Sequence, residues 1–230
     1  MKEKLSQRMR AIIEMAGKGK TAADIGCDHG MVAQALIREG LADRVIACDI
    51  SEKSLQKTID LARQNGWSDQ LDARCGDGLS RLTEDEADVI IIAGMGGLLI
   101  RQILAQNIRV AQSAKKLVLV PHGSEYELRS FLFGNGFTIV DEDIVREGDH
   151  YYQLICAAKG REYCGDELQL MFGRRLLEKN EPLFRQYLKN RDSEFKNIIE
   201  NARQGKNTEA YRKELSVLRE RIREVLICRN

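Results

Sequence analysis

The residues best placed to do chemistry begin at Asp24-Ile-Gly-Cys-Asp-His-Gly30, where two acids and two glycines follow an apolar run and precede an amphipathic segment. In a strand-to-helix loop, glycine lets the backbone come close to a nucleotide-like ligand. The spacing is D-x-G-x-x-x-G. The extra glycine that brings a dinucleotide pyrophosphate onto a helix N-terminus is missing, which disfavours a nicotinamide-dependent oxidoreductase. Asp49 closes the next run, Val45-Ile-Ala-Cys-Asp49, 23 residues after Gly26 and with Ile50 beside it. A carboxylate there can accept hydrogen bonds from both hydroxyls of a ribose. Asp77 lies in Arg74-Cys-Gly-Asp-Gly78 after a third run, and Ala93-Gly-Met-Gly-Gly97 follows a fourth. Each acid alone reads equally well as a turn or helix-cap aspartate. Together they mark a ligand-binding edge, and three glycines around Met95 imply that something approaches the backbone there.

The scaffold that would bring these loops to one edge is written in the alternation between short apolar runs and helical patterns. An amphipathic lead-in helix over 5–16 places Leu5, Met9, Ile12, Ile13 and Ala16 on one face. Strands are predicted at 21–25, 44–49, 71–75, 87–93 and 116–120, with helices at 31–39, 51–64, 96–106 and 124–134. That rhythm means a parallel sheet with helices on both faces, and Val89-Ile-Ile-Ile-Ala93 reads as a central strand buried on both sides. Two last strands, 136–146 and 150–158, joined through Glu147-Gly-Asp-His150, form an antiparallel hairpin. The fold class is α/β, a Rossmann-like sheet followed by a helical appendage.

Composition agrees. A chain of 230 residues with 43% hydrophobic and 31% charged residues builds one substantial core plus a small second element. The expected division is 1–160 for the sheet domain and 161–230 for a coiled-coil-like hairpin. There, Phe184, Leu188, Arg191, Phe195, Ile198 and Ala202 face Tyr211, Leu215, Leu218, Ile222 and Val225 across a turn at Gln204-Gly-Lys-Asn207. A stem helix at 166–179 and an N-cap at Asn180 before Pro182 complete it. Its apolar seam would serve either to pair the two helices or to join a homodimer. Six cysteines without a CxxC pair read as reduced thiols, so neither a metal site nor disulfides are expected, and Cys27, Cys48 and Cys75 read as small buried hydrophobes. Residues 1–20 carry six Lys/Arg against two acids, 21–160 carry 14 against 21, and 161–230 carry 16 against 12. Basic margins of this kind could hold a polyanion, or be an ordinary solvated helix surface. No apolar run approaches the roughly 18 residues of a membrane span and no signal-type block is present, so a cytoplasmic protein without membrane contact is expected.

Asp24-Ile-Gly-Cys-Asp-His-Gly30, Cys75-Gly-Asp-Gly-Leu79 and Ala93-Gly-Met-Gly-Gly97, with a helical hairpin behind them, resemble the bacterial tRNA (adenine-N1)-methyltransferases that modify adenine 22. The resemblance covers essentially the whole chain. It departs from the family's pattern at Met31-Val-Ala-Gln34 and at Val120-Pro-His122. It implies S-adenosyl-L-methionine as cofactor and tRNA as partner. The implied cofactor-binding residues are Asp24, Gly26, Cys27, Gly30, Asp49, Ile50, Asp77, Gly78, Gly94, Met95 and Gly96, with Asp77 on the adenine amino group. Asp28 and His29 are the implied catalytic pair, Asp28 accepting from the N6 amino group of the target base. His122 and Gly97 would contact substrate. Adenine N1 has a free lone pair and needs no strong base, so catalysis would rest on positioning an extruded base. The Asn/Asp-Pro-Pro-aromatic signature of many exocyclic-amine methylases is absent. A methyltransferase acting on another RNA or on a small molecule is the alternative, and His29 could instead serve only to satisfy a nearby backbone group.

Overall fold

Seven strands form one sheet in the order β3-β2-β1-β4-β5-β7-β6. They are β1 (Gly19–Ile25), β2 (Ala42–Asp49), β3 (Leu71–Cys75), β4 (Val89–Met95), β5 (Lys116–Pro121), β6 (Phe137–Glu147) and β7 (His150–Lys159). The first five run parallel, and β7 is antiparallel to both β5 and β6. The order reverses between β1 and β4, and in a doubly wound sheet the crevice outside the carboxyl ends of such strands is where ligands bind. This computed structural model describes residues 5–163, 165–201 and 206–227. The basic start at 1–4, Cys164, Cys228, Ala202 and the Gln204-Gly205 part of the expected turn lie outside them.

Alternation along β4 shows why the sheet is covered twice. Ile90 and Ile92 pack on one side with Ile100, Ile103, Leu128 and Leu132. Val89 and Ile91 pack on the other with Ile12, Ile13, Leu36 and Leu55. Successive side chains of a strand point to opposite faces, so a run of β-branched residues must be buried on both. The first group of partners comes from α4 (Gly97–Gln106) and α6 (Glu125–Gly134). The second comes from α1 (Gln7–Ala16), α2 (Met31–Arg38) and α3 (Glu52–Gln64). Local chemistry sets the helix starts: Ser6 Oγ accepts from Met9 N, and Ser51 Oγ accepts from Ser54 N, each satisfying an otherwise orphaned donor. A further short helix, α5 (Ile108–Ser113), precedes β5. Between α6 and the hairpin, Arg129 is wholly buried, its guanidinium 2.7 Å from Glu142 Oε1 and 2.6 Å from Gln153 Oε1.

The chain divides into two compact units, Met1–Gly165 and Asp166–Asn230. In the second, the expected stem helix is broken into α7 (Glu167–Phe172) and α8 (Arg174–Lys179), because Gly173 takes a φ of 86° that a continuing helix cannot. Asn180 is not the N-cap of the next helix. It ends α8 in the left-handed conformation that asparagine tolerates, and Pro182 opens α9 (Pro182–Asn201) as its first residue. Helix α10 (Lys206–Ile227) begins inside the segment expected to turn. Arg185 donates to Leu226 O at 2.7 Å and Arg219 to Asp192 Oδ1 at 2.8 Å, a pairing that runs in opposite directions along α9 and α10. Phe184, Leu188, Phe195, Leu215, Leu218 and Ile222 fill the buried seam.

Candidate active site

The loop after β1 is built by backbone that only glycine enters freely. Gly26 has a φ of 70°, and a Cβ added there would collide with Cε of Met95. Its N–H donates to Cys48 O at 2.8 Å, drawing the loop across the end of β2. Asp28 holds a φ of 47°, a strained setting for a residue with a Cβ, and its N–H donates to Asp49 Oδ2 at 2.9 Å. The second oxygen of Asp49 accepts from Ser51 N at 2.8 Å, so one carboxylate ties together the loops after β1 and β2. Gly30 is buried, and a Cβ there would strike Thr58, so its role is close packing of the loop on α3.

Asp24 lies at the end of β1, 4% exposed, with Oδ2 accepting from Ala33 N at 3.1 Å. Burial, above all, and then the nearby charge of Asp49 push its carboxyl up to about 7, against the bond from Ala33. Burial likewise raises the Cys27 thiol and holds Cys48 up at about 12, so neither is a ready nucleophile.

On the other side of the switch point, the pairing of β4 with β5 shifts register between Ala93 and Met95. The extra residue is Gly94, φ 77°, and the space where its Cβ would project is open. A bulge of this kind turns the backbone toward the crevice and frees its polar groups for a ligand.

Two adjoining clefts result. One of about 450 Å³ is lined by Asp24, Gly26, Cys27, Asp28, His29, Gly94 and Met95, with Arg8, Met9, Ile12, Met31, Val32 and Ala93. The other, about 340 Å³, is lined by Gly26, Asp49, Ile50, Asp77, Gly78 and Met95, with Ile25, Gly76, Leu99 and Ile103. Gly26 and Met95 belong to both, so the two form halves of one crevice with the Met95 side chain between them. Eleven of the residues expected to hold ligand thus come together, and Gly96, Gly97, Gly30 and His122 line neither half. Gly97 is buried, and its missing Cβ makes room for the backbone oxygens of Ser124 and Gly123, which would lie 2.6 and 2.7 Å away. Gly96 caps α4. His122 donates its N–H to Met95 O at 2.8 Å and sets its ring edge-on to Tyr152, centroids 5.1 Å apart. Partial burial, then the charges of Arg8 and His150, hold its imidazole below the usual histidine range, which favours the neutral ring.

Sequence reasoning assigned Arg8 only to a general basic surface. Its guanidinium lies 4.6 Å above the Tyr152 ring, its backbone N–H donates to Glu147 Oε1 at 3.0 Å, and the residue forms part of the first cleft's wall. Its partners are 139 and more residues away, and no local signal could have placed it.

A family model described as a methyltransferase domain matches residues 5–155. The tRNA (adenine(22)-N(1))-methyltransferase of Bacillus subtilis is 30% identical over 171 residues, covering 74% of this chain and 72% of that protein. The crystal structure of the B. subtilis M1A22 tRNA methyltransferase TrmK superposes with a TM-score of 0.86 at 26% identity, covering 97% of this chain and 99% of that one. The Streptococcus pneumoniae protein Sp1610 in complex with S-adenosyl-L-methionine gives a TM-score of 0.85 at 26% identity, covering 97% and 100%.

Proposed function

The chain belongs to the tRNA (adenine(22)-N(1))-methyltransferase family, and from that premise we infer that it methylates N1 of adenine 22 in tRNA, using S-adenosyl-L-methionine. The observation that carries the reading is the two-part crevice at the switch point, with acids in both halves and a backbone that a Cβ on Gly26 would obstruct. The residues fit the cofactor. Asp49, with Ile50 beside it, is set for a ribose, Asp77 and Gly78 for the adenine edge, and the buried Asp24 for the cationic methionine end. Arg8, across that half-cleft, is the counter-charge for a carboxylate.

When bound, the cofactor supplies an electrophilic methyl on a sulfonium. The protein's part is to present adenine N1 in line with that methyl and to accommodate the positive charge that passes to the base. Asp28 and His29 flank the methionine half-cleft beside Gly94. We assign Asp28 to the N6 amino group, where a carboxylate acceptor favours the cationic product over the neutral substrate. His122 lies outside the crevice walls and Gly97 is buried against the backbone of Gly123 and Ser124, so neither is assigned to the reacting base.

The test is incubation with labelled S-adenosyl-L-methionine and unmodified tRNA, followed by nucleoside analysis. N1-methyladenosine should form, and should vanish when position 22 is changed from adenine. Its absence across diverse tRNAs would overturn the assignment.

Asp24 gives cofactor binding a pH signature. Below about 7 the free protein carries a proton on this carboxyl, and a cation beside it favours the ionised form, so binding must expel the proton. Affinity is therefore expected to rise with pH toward about 7 and level off above it. Folding carries the opposite sign. Ionising Asp24 costs the native state stability as pH rises from the ordinary carboxylate range toward 7, and a bound cation restores it. Calorimetric titration across that range in wild type and Asp24→Asn checks this, and a slope that survives the substitution would exclude Asp24 as its source.

Tyr211, Val217 and Ile227 remain exposed on the helical unit, while its apolar seam is filled from within one chain. A homodimer through the hairpin would have to use these outer side chains. Among the described residues, no helix is long and apolar enough to cross a membrane.

A further inference from the structure

The catalytic loop is docked on α3 by two consecutive residues that belong to no cofactor contact. Thr58 Oγ1 donates to Asp28 O at 3.3 Å, and Lys57 Nζ lies 2.9 Å from His29 Nε2. The other ring nitrogen of His29, Nδ1, lies 2.8 Å from Asp28 Oδ1. An ammonium has three donors and no acceptor. Contact with Lys57 therefore requires Nε2 to be the accepting nitrogen. A ring with hydrogens on both nitrogens would set an N–H against an ammonium 2.9 Å away, so the contact selects the tautomer with its hydrogen on Nδ1. That hydrogen points at Asp28. The sequence Lys57 to His29 to Asp28 is thus a chain of hydrogen bonds with one fixed direction, each donor named by the chemistry of the group before it.

We propose that Lys57 is a positioning residue for methyl transfer. It fixes the His29 tautomer, and His29 in turn donates to one oxygen of Asp28, leaving the other to accept from the N6 amino group of the target adenine. The proposal rests on the assignment of Asp28 to that amino group. Without Lys57, His29 is released to carry its hydrogen on Nε2 and to present a bare Nδ1 lone pair to the carboxylate. Asp28 would then lose its bond from His29, on a loop whose backbone at Asp28 already lies in the left-handed region.

The test is Lys57→Met, with Lys57→Arg as the conservative partner. Nitrogen NMR of the histidine rings, His29 assigned by comparison with His29→Asn, reads the tautomer directly in the free protein. It should show Nδ1–H in wild type and Lys57→Arg and a shift toward Nε2–H in Lys57→Met. In turnover, Lys57→Met should lower kcat about tenfold to a hundredfold, the range a misplaced group costs, and Lys57→Arg should restore most of it. S-adenosylhomocysteine affinity and the KM for tRNA should stay within about twofold, since neither ligand's ground-state binding is touched. An unchanged tautomer and kcat in Lys57→Met would overturn the proposal. So would an intact kcat with a raised KM for tRNA and a shallower salt dependence, which is the signature of a phosphate contact. A wild-type protein that forms no N1-methyladenosine would sink the functional assignment instead, and the tautomer measurement would still decide whether Lys57 sets the ring.

Discussion

Asp49→Ala should reduce S-adenosyl-L-methionine affinity by about two to four orders of magnitude, because two hydrogen bonds to a carboxylate contribute roughly 1.5–3 kcal/mol each. The loss has two sources. One is the pair of ribose hydroxyls the carboxylate would receive. The other is the preorganised loop, since the same two oxygens already accept from Asp28 N and Ser51 N. Asp49→Asn separates them: the amide keeps one acceptor and the side chain's shape, so it should fall between wild type and alanine. Removing this charge has a second consequence. Asp49 is one of the influences holding the Asp24 carboxyl high, so the pH at which cofactor binding levels off should move down in both variants. Isothermal titration at several pH values, with melting curves to confirm an intact fold, measures both effects. Affinity within threefold of wild type in Asp49→Ala would show that the carboxylate is not a ribose ligand.

What could be read from the sequence is what depends on near neighbours in the chain. Gly26, Asp49, Asp77 and Gly94 each stand at the end of an apolar run, and parallel strands carry their ends to one edge whatever the sheet order. The two halves of the crevice follow from that geometry, as does the burial of Val89-Ile-Ile-Ile92 on both faces. The failures have the opposite cause. Arg8 is placed by Glu147 and Tyr152, which the hairpin brings to α1 from the far end of the domain. Lys57 looks like any solvated helix lysine until the His29 loop folds over it. Gly97 resembles a ligand-approach glycine, yet what approaches is the chain's own backbone at Gly123 and Ser124. Asn180 and Pro182 were legible as punctuation, but whether asparagine ends one helix or begins the next depends on its sign of φ, which composition does not reveal. Gly173 breaks the stem helix for the same reason.

Glu142→Ala should destabilise the fold by about 3–5 kcal/mol, because it takes a carboxylate from a wholly buried guanidinium. Glu142 and Arg129 both have fully buried side chains, and the pair joins α6 to the hairpin. The bond to Gln153 brings no charge to replace the carboxylate. The cost lies in a buried guanidinium that loses this carboxylate rather than in the pair itself, since desolvating both ions offsets most of their attraction. Arg129→Met combined with Glu142→Leu should therefore be more stable than Glu142→Ala alone, although it removes more of the native network. Denaturant unfolding of the two variants and wild type decides this, and a double variant as unstable as the single one would place the damage in packing. The hairpin also links this pair to the crevice, because Glu147 and Tyr152, which hold Arg8 in the cleft wall, lie on β6 and β7. Below the unfolding transition, the double variant should keep cofactor affinity within about threefold of wild type, as expected when a substitution away from the site preserves the folded geometry. A larger loss would mean that the buried pair sets the position of Arg8 as well as the stability of the sheet.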